Sequence, residues 1–355
     1  MRMFAFYLPQ FHEIPENDKW WGKGFTEWTN VKSAKPLYKG HVQPKHPLNN
    51  EYYNLLDKSI VEKQTETMRR YGVNGFIYYH YYFEGKLLLE KPAENLLQWK
   101  DINQHFFFCW ANHAWIQSKG NDSTVLMPMN YGTEGEWERH FQYLLPFFKD
   151  PRYEKRKNKP VFMLFQSKFN EKKEMMQYFN KRCKQEGFDG LCLIESYHGD
   201  IASDEFIRDS SDVMEYLFYR EPTVTNWGYS RTRGIVYRVI HKMMNELRKK
   251  DIIHYPWVVN GKDLMNYKIQ NEKLGEKVAH GIFFEWDNTP RHKQRGYVIT
   301  PYEKKDFMMY MDLIKKEDYL FINAWNEWAE GMILEPTEEN GDKYLGWIKE
   351  WNDAN

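Results

Sequence analysis

Two glutamates near the C-terminus, Glu327 and Glu330, are the residues of this sequence best suited to acid–base chemistry. They are three residues apart among tryptophans and asparagines, and they follow the apolar run 319–322. Residues with this spacing face the same way on a helical turn, with β-carbons about 5–6 Å apart. Because two close carboxylates do not both ionise readily in a partly dry site, we expect one neutral acid and one base. Cleavage or transfer of a glycosidic bond requires this division of roles.

Other catalytic motifs are absent from the sequence. It contains no Gly-x-Ser-x-Gly elbow, no Walker loop and no His-Glu-x-x-His zinc motif. It also lacks an Asp-x-Asp pair, which in many sugar-nucleotide transferases holds the metal-bound nucleotide. We therefore predict no metal and no other cofactor.

The composition favours a sugar ligand over a nucleic acid. Basic and acidic residues number 50 each in 355 residues, so nothing indicates a phosphate-rich partner. The chain has 14 Trp, 25 Tyr and 23 Phe. Aromatic rings usually pack the core, but they also form flat platforms for sugar rings. We predict an oligosaccharide or polysaccharide as the partner, and no nucleic acid.

The three cysteines, Cys109, Cys183 and Cys192, fit neither a disulfide framework nor a metal site. A reducing compartment is the simplest interpretation. The N-terminal apolar run is too short for a signal peptide, and no run is long enough to span a membrane. The sequence therefore predicts a cytoplasmic protein, or a periplasmic or secreted one if a leader has been removed.

Short apolar runs, each followed by Gly, Asn, His or Trp, recur along the chain and predict eight strands. They are residues 3–7, 75–82, 105–110, 161–165, 190–195, 213–216, 281–286 and 319–325. Stretches with helical spacing lie between many of them. They are residues 55–71, 134–148, 171–186, 235–250 and 302–315. Gly72 and Gly187 stand where two of these helices should end.

This alternation predicts an α/β fold with a parallel sheet covered by helices. Eight repeats fit a (β/α)8 TIM-type barrel, with residues 1–355 as a single domain. An open doubly wound sheet is the alternative, but no glycine-rich phosphate turn follows the first strand. Residues 11–54 form a long, irregular segment that would lie over the active face.

In a barrel the reactive groups cluster at the carboxyl ends of the strands. Hydrogen-bonding groups and rings alternate there, as recognition of a polyhydroxylated ligand requires. We predict substrate-binding roles for Tyr7, His12, His80, Tyr82, Trp110, Asn112, His113, Glu285, Trp286, Asn288, Trp325 and Asn326.

Structural interpretations of the same residues stay open. A single strand-end histidine, such as His12 or His80, is more often a hydrogen-bonded structural residue than a catalyst. Glu285 could equally be an ion-pair partner. Glu327 and Glu330 could form an ordinary first helical turn, where acidic side chains are favourable. The tryptophans beside the two glutamates favour a functional pair over a solvated turn.

Four segments resemble the motifs of a known family. Phe-Tyr-Leu-Pro-Gln-Phe-His lies at 6–12, and Trp-Trp-Gly-Lys-Gly-Phe-Thr-Glu-Trp lies at 20–28. Asp-Asn-Thr-Pro-Arg at 287–291 and the glutamate-containing run 323–331 complete the set. Together they resemble the WbsX-like family, whose members are often labelled glycosyltransferases of surface-polysaccharide clusters. That family is related to glycoside hydrolase family 99, the endo-α-mannosidases.

The resemblance implies a (β/α)8 barrel and a retaining reaction without a metal. It implies that Glu327 is the general base for the 2-hydroxyl of the donor sugar, which then attacks its own anomeric carbon. Glu330 would protonate the departing oxygen and then deprotonate the incoming water or sugar, through a 1,2-anhydro sugar intermediate. Ala329 stands where family 99 commonly has histidine, so the resemblance carries the chemistry rather than the identity of the sugar.

Three functions remain after this comparison. The first is a retaining glycoside hydrolase acting on an oligosaccharide or polysaccharide. The second is a glycosyltransferase of surface polysaccharide (O-antigen or capsule) biosynthesis, in which the same pair would serve an acceptor hydroxyl instead of water. The third is a non-catalytic carbohydrate-binding protein, which would keep the aromatic residues but would not need the pair of glutamates.

Overall fold

Eight parallel strands close into a barrel, as the sequence predicts. The computed structural model describes residues 1–119, 122–198 and 212–355. The barrel strands are β1 (Arg2–Tyr7), β2 (Gly75–Phe83), β3 (His105–Trp110), β4 (Lys159–Leu164), β5 (Cys192–Tyr197), β6 (Met214–Tyr219), β7 (Val278–Phe283) and β8 (Tyr319–Asn323). Closure occurs at β1, where Phe4 is opposite Phe321 of β8 on one side and Gly75 of β2 on the other.

Helices lie between the strands and after the last one, and they complete a (β/α)8 barrel. The α-helices in the described part of the chain are Pro15–Trp21, Glu27–Ser33, Lys58–Arg70, Lys91–Gln98, Glu134–Lys149, Lys172–Gln185, Thr223–Thr232, Gly234–Lys249, Gly261–Asn271, Thr289–His292, Lys304–Ile314 and Lys343–Ala354. Short 3-10 turns span Leu48–Asn50, Lys293–Arg295 and Trp328–Glu330.

Smaller strands either extend the barrel sheet, as Lys86–Leu88 and Lys155–Arg156 do, or pair outside it. They are Lys86–Leu88, Trp115–Lys119, Asp122–Met127, Lys155–Arg156, Trp257–Val259, Trp286–Asp287, Tyr297–Ile299, Asn326–Glu327 and Met332–Ile333. The pair formed by Asn326–Glu327 and Met332–Ile333 is antiparallel and directly follows β8. It carries the glutamates that the sequence singles out.

Phenylalanine rings fill the barrel interior. The ring of Phe4 lies 5.1 Å from that of Phe107, and the ring of Phe107 lies 5.8 Å from that of Phe321. Phe321 in turn lies 5.1 Å from Phe218. These four rings come from four different strands and are fully buried. The barrel is therefore a packed core, and a ligand can enter only above it, at one end.

The helix Lys58–Arg70, which directly precedes β2, shows how the sequence determines where a helix begins and which face it buries. Asp57 caps its N-terminus by accepting a hydrogen bond of 2.9 Å from the backbone N–H of Ser59. The helix buries Ile60, Val61, Gln64, Thr65 and Met68, which have the spacing of one helical face. It begins at Lys58, three residues later than predicted, because the cap stands there.

Residues 11–54 are less irregular than the sequence predicts. They contain the helices Pro15–Trp21 and Glu27–Ser33. The second helix begins with a capping box in which Thr26 and Thr29 bond each other's backbone. Its Trp28 donates a 2.8 Å hydrogen bond to the carbonyl of Tyr53 within the segment. The ring of Trp28 also packs on that of Trp328 at 5.3 Å, which joins the segment to the turn after β8.

Strand boundaries differ from the predictions mainly at the carboxyl ends. β6 ends at Tyr219, three residues beyond the predicted end, whereas β7 ends at Phe283, three residues before it. Apolar composition continues past or stops short of the hydrogen-bonded ladder, so it marks these ends poorly. The predicted helix ends at Gly72 and Gly187 are confirmed, since both glycines have positive φ angles directly after a helix.

Candidate active site

A cavity of about 1120 Å³ lies over the carboxyl ends of the barrel strands. Its lining includes residues on five barrel strands or directly after them, namely Leu8, Tyr79, Tyr81, Ala111, Phe165 and Arg220, and Glu327 from the short strand that follows β8. The connecting segments supply the rest of the wall, including Glu27, Arg291 and Glu330. This is the face of a (β/α)8 barrel at which reactions take place.

Glu327 and Glu330 both face this cavity. Glu327 closes the short strand after β8, and Glu330 lies on the 3-10 turn Trp328–Glu330. Gly331 ends that turn with a left-handed φ of 65°. A β-carbon at Gly331 would lie 2.9 Å from the backbone nitrogen of Asp287, so only glycine fits this close approach.

Arg291 joins the two glutamates. Its Nη1 lies 2.5 Å from Oε1 of Glu330, and its Nη2 lies 3.4 Å from Oε2 of Glu327. Its Nε lies 3.0 Å from Oε1 of a third carboxylate, Glu27, which is 2% exposed. One guanidinium therefore fixes the positions of three carboxylates from two different parts of the chain.

The segment that carries Arg291 is anchored through Asp287. One carboxylate oxygen of Asp287 accepts hydrogen bonds from Nε2 of His41 at 2.8 Å and from Nε2 of Gln43 at 2.7 Å. The other accepts from the backbone and hydroxyl of Thr289. Burial alone would raise the pKa of Asp287, but these hydrogen bonds outweigh it and lower that pKa.

The electrostatics of the cavity distinguish the two glutamates. Glu327 is 7% exposed. Burial, followed by repulsion from Glu330, raises the pKa of Glu327 to about 8, although Arg291 and Arg220 oppose the shift. The raised pKa favours the protonated form of the Glu327 carboxyl.

A second buried carboxyl, that of Glu335, contacts the turn that bears Glu330. Glu335 accepts hydrogen bonds of 2.5 Å from the Tyr53 hydroxyl and from Nε1 of Trp328, and one of 3.0 Å from Nε2 of Gln64. Burial raises its pKa to about 7, against the effect of these hydrogen bonds. Because Trp328 begins the turn that bears Glu330, this network positions the candidate acid–base pair.

One of the predicted substrate-binding residues, His113, lines the cavity. It stacks on the Phe165 ring at 4.7 Å, and burial lowers its pKa to about 4. Trp286 is not part of the lining, but it donates a hydrogen bond of 3.3 Å from Nε1 to Oε2 of Glu330. It therefore helps to position that glutamate.

Three others pack outside the barrel. His80 lies 2.9 Å from His140 between their Nε2 atoms, and the ring of Tyr82 stacks on His140 at 4.0 Å. Trp110 donates to the carbonyl of Tyr82 at 3.1 Å. His140 belongs to the helix Glu134–Lys149. These side chains join β2 and β3 to that helix and do not line the cavity.

Tyr7, His12 and Trp325 are also buried away from the cavity lining. The hydroxyl of Tyr7 donates to Gln64 at 2.6 Å, and the ring of Trp325 packs on Phe76 at 4.9 Å. Nδ1 of His12 lies 3.0 Å from a backbone carbonyl within its own turn. Each of these contacts is within the protein core.

The predicted asparagines fasten strand ends together. The side chain of Asn326 accepts from the backbone N–H of Leu8 at 2.7 Å and donates to its carbonyl at 3.1 Å, which joins the ends of β8 and β1. Asn112 makes the same pair of bonds to Gln166, at 2.7 and 2.8 Å. They hold the rim of the cavity in shape.

Asn288 and Glu285 have comparable structural contacts. Oδ1 of Asn288 accepts from the backbone N–H of Tyr297 at 2.7 Å. Glu285 forms an ion pair of 2.8 Å with Lys45. Neither residue is part of the cavity lining.

Sequence reasoning missed Arg291, Glu27 and Arg220 as members of the site. Arg291 is the last residue of the Asp-Asn-Thr-Pro-Arg motif, and Glu27 lies within the tryptophan-rich motif, so both motifs contained a signal. Arg220 follows β6 and lies over the Phe165 ring at 3.6 Å. It was missed because the predicted sixth strand ends too early.

Within the described part of the chain, no cluster of three His, Cys, Asp or Glu side chains could hold a metal ion. Over the same residues, no helix combines the length and the apolarity that crossing a bilayer requires.

Solved glycoside hydrolases share this barrel. The family 99 endo-α-mannosidase from Bacteroides thetaiotaomicron, in complex with bis-tris-propane, aligns with a TM-score of 0.55 and 14% identity, over 99% of this chain and 97% of that one. A structure described as a glycoside hydrolase-like protein aligns with a TM-score of 0.56 and 12% identity, over 99% and 93%. At such identities the likeness shows the fold.

The chain belongs to the WbsX family, since the family model described as glycosyltransferase WbsX matches residues 3–348. The uncharacterized protein WxcX from two strains of Xanthomonas campestris pv. campestris is 29% identical over 372 residues, which include 99% of this chain. The chain spans about half the length of these relatives, 48% in each case. The chain is therefore a WbsX-family member whose (β/α)8 barrel resembles those of solved glycoside hydrolases.

Proposed function

We propose that the protein is a retaining glycoside hydrolase that acts on an oligosaccharide or polysaccharide, with Glu327 and Glu330 as its acid–base pair. The observation that carries the proposal is that both carboxyl groups face one cavity at the barrel mouth and contact the same guanidinium, that of Arg291. A pair held this way can reach adjacent atoms on one side of a sugar ring.

The first step uses the sugar's own 2-hydroxyl as the nucleophile. Glu327, in its carboxylate form, takes the proton of that hydroxyl, and the oxygen attacks the anomeric carbon. The glycosidic bond breaks, and Glu330 gives its proton to the departing oxygen. The products are a 1,2-anhydro sugar, a protonated Glu327 and an ionised Glu330. This assignment follows the family resemblance.

The second step restores both groups. Glu330 takes a proton from water, whose oxygen attacks the anomeric carbon and opens the three-membered ring. Glu327 returns its proton to the 2-oxygen. Because the anomeric carbon is attacked twice, the configuration is retained.

The raised pKa of Glu327 supports the base role in one respect and sets a condition on it. A carboxylate whose conjugate acid has a pKa of about 8 is a stronger base than an ordinary glutamate, as an alcohol proton demands. The condition is that Glu327 must be ionised and Glu330 protonated before the first step, whereas the repulsion that raises the pKa of Glu327 comes from an ionised Glu330.

The side chains that line the cavity are suited to a sugar ligand. Tyr79, Tyr81, Trp115 and Phe165 present aromatic surface, while Arg220 adds a hydrogen-bond donor beside them. Rings interleaved with a few polar groups suit the apolar faces and the hydroxyls of a saccharide.

Transfer to a sugar acceptor is the second candidate, because the matching family model is described as a glycosyltransferase. The same pair would then deprotonate an acceptor hydroxyl instead of water. A non-catalytic carbohydrate-binding protein is the third candidate. Binding alone would not require two carboxyl groups held together by Arg291, so this candidate does not explain that arrangement.

The test is a screen of oligosaccharides for cleavage, repeated with Glu327→Gln and Glu330→Gln. Each substitution should reduce kcat/KM by about 10²–10⁴-fold. The matched control is Glu62→Gln, which changes an exposed glutamate on the outer helix Lys58–Arg70. Wild-type rates in both site variants would refute the proposal. Product made only when an acceptor sugar or a sugar nucleotide is supplied would favour transfer instead.

A further inference from the structure

One helix beside the cavity exposes an unusual amount of apolar side chain. In Gly234–Lys249, the exposed fractions of Ile235, Val236, Val239 and Met243 are 66%, 67%, 58% and 54%. Ile240 is exposed as well. These residues have the spacing of one continuous helical stripe. A contiguous apolar stripe of this kind marks an interaction surface.

The opposite face of the same helix is fastened to the protein. The Tyr237 hydroxyl accepts a hydrogen bond of 3.2 Å from Nε1 of Trp257, and the His241 ring meets the Trp257 ring at 4.5 Å. Arg248 lies over that ring at 5.5 Å and donates to the carbonyl of Tyr255 at 2.6 Å. The exposed stripe is therefore held outward by specific contacts.

Basic residues border the stripe on its cavity side. Residues 234–250 contain five basic side chains and one acidic one, a net charge of +4 in a protein whose total is zero. Lys242 and Lys249 belong to the cavity lining. On a helix of 3.6 residues per turn they project to the cavity side of the apolar stripe, and Arg238 lies on the same side. Glu246 also lies there and forms an ion pair of 2.8 Å with Lys249, so the border carries a net positive charge with one acidic residue in it.

We propose that this face of the helix docks the protein on an anionic lipid bilayer, with the cavity mouth beside the headgroups. A basic amphipathic helix lies in the plane of a membrane interface with its apolar residues about 5–10 Å deep. Here the stripe would enter the acyl boundary, and the border of Arg238, Lys242 and Lys249 would meet the phosphates. The positive charge favours this occupant over a second copy of the chain, which would bring the same charge to the contact.

The experiment is sedimentation with lipid vesicles of two compositions. The wild-type protein should bind vesicles of equal parts phosphatidylglycerol and phosphatidylcholine at low salt, and should bind phosphatidylcholine alone far more weakly. Val236→Glu/Val239→Glu should weaken binding roughly tenfold for each valine removed from the acyl boundary. Lys242→Gln/Lys249→Gln should weaken it roughly fivefold for each charge, and added salt should have a similar effect.

The matched control is Met309→Glu/Leu313→Glu on the helix Lys304–Ile314, whose two side chains are also exposed. It should bind the anionic vesicles as the wild type does. The lysine variant keeps the test decisive if the valine variant fails to fold.

Three results would overturn the inference. The first is that the wild-type protein stays in the supernatant with anionic vesicles at low salt. The second is that the control loses as much binding as the valine variant. The third is that the protein is a dimer in solution and Val236→Glu/Val239→Glu makes it a monomer, because a second copy would then cover the stripe.

Discussion

The pH dependence of turnover should report the protonation of Glu327. If Glu327 is the base, it acts only as the carboxylate, and burial with repulsion from Glu330 raises its pKa to about 8. On an aryl glycoside whose leaving group needs no proton from Glu330, the activity of the free enzyme should therefore rise with pH throughout the neutral range. An ordinary glutamate base would already be fully ionised there.

The expected size of the effect follows from this pKa. With a pKa of about 8, roughly one molecule in a hundred carries the Glu327 carboxylate at pH 6, and about half carry it at pH 8. The value of kcat/KM should therefore increase about 50-fold between these two pH values, by nearly tenfold per pH unit at the acidic end.

The assay is the initial rate at substrate concentrations well below KM, where kcat/KM reports groups of the free enzyme. Glu330→Gln provides a second measurement on aryl glycosides whose leaving groups need no proton. Removing the charge of Glu330 removes the second cause of the raised pKa, so the midpoint should move to lower pH. Glu62→Gln should keep the wild-type profile.

A profile on this aryl glycoside that does not rise between pH 6 and 8 would refute this assignment of roles. Glu327 would then not be the base for the 2-hydroxyl.

Three further predictions concern the surroundings of the pair. Arg291→Met should lower kcat/KM and reduce the free energy of unfolding by about 3 kcal/mol in urea titrations, because it leaves the buried Glu27 carboxylate without its cation. The pKa of Glu335 is raised to about 7 in the folded protein, so this group stabilises the fold at acidic pH, and the stabilisation is lost as the pH rises through about 7. Glu335→Gln should remove roughly 3 kcal/mol of this pH-dependent decline in the free energy of unfolding, measured at several pH values. Gly331→Ala should cost about 1–3 kcal/mol of stability and reduce turnover, because its β-carbon would meet the Asp287 backbone at a positive φ. Thermal unfolding unchanged in Gly331→Ala would contradict that last explanation.

The barrel was predictable because the alternation of apolar strands with helices leaves few other folds. Strands buried on both faces read as continuous apolar runs, as in 75–82, and such runs imply a parallel sheet under helices. The same property hides which side chains point inward. Tyr79 and Tyr81 line the cavity, whereas His80 and Tyr82 pack against an outer helix. All four are apolar or aromatic and buried, so the sequence carries no sign of the difference.

The sequence also could not predict which residues that are distant along the chain contact one another. Arg291 lies 36 residues before Glu327 and 264 residues after Glu27, and it contacts both. An ion pair between distant residues depends on the fold that brings them together. The asparagines at strand ends show a different error. The sequence predicts that the polar side chains of Asn112 and Asn326 bind sugar, but in the structure both form hydrogen bonds with backbone groups.

The two glutamates are not brought together by the helical turn that their spacing suggests. Glu327 ends a short strand and Glu330 lies on a 3-10 turn, so they do not share a regular helical face. Gly331 closes the turn against Asp287, and Arg291, four residues further along that segment, then contacts both carboxyl groups. The proposed acid–base pair is thus positioned by the segment after β7 as much as by the segment that bears it. A change that shifts residues 287–291 should therefore impair catalysis even when Glu327 and Glu330 are intact.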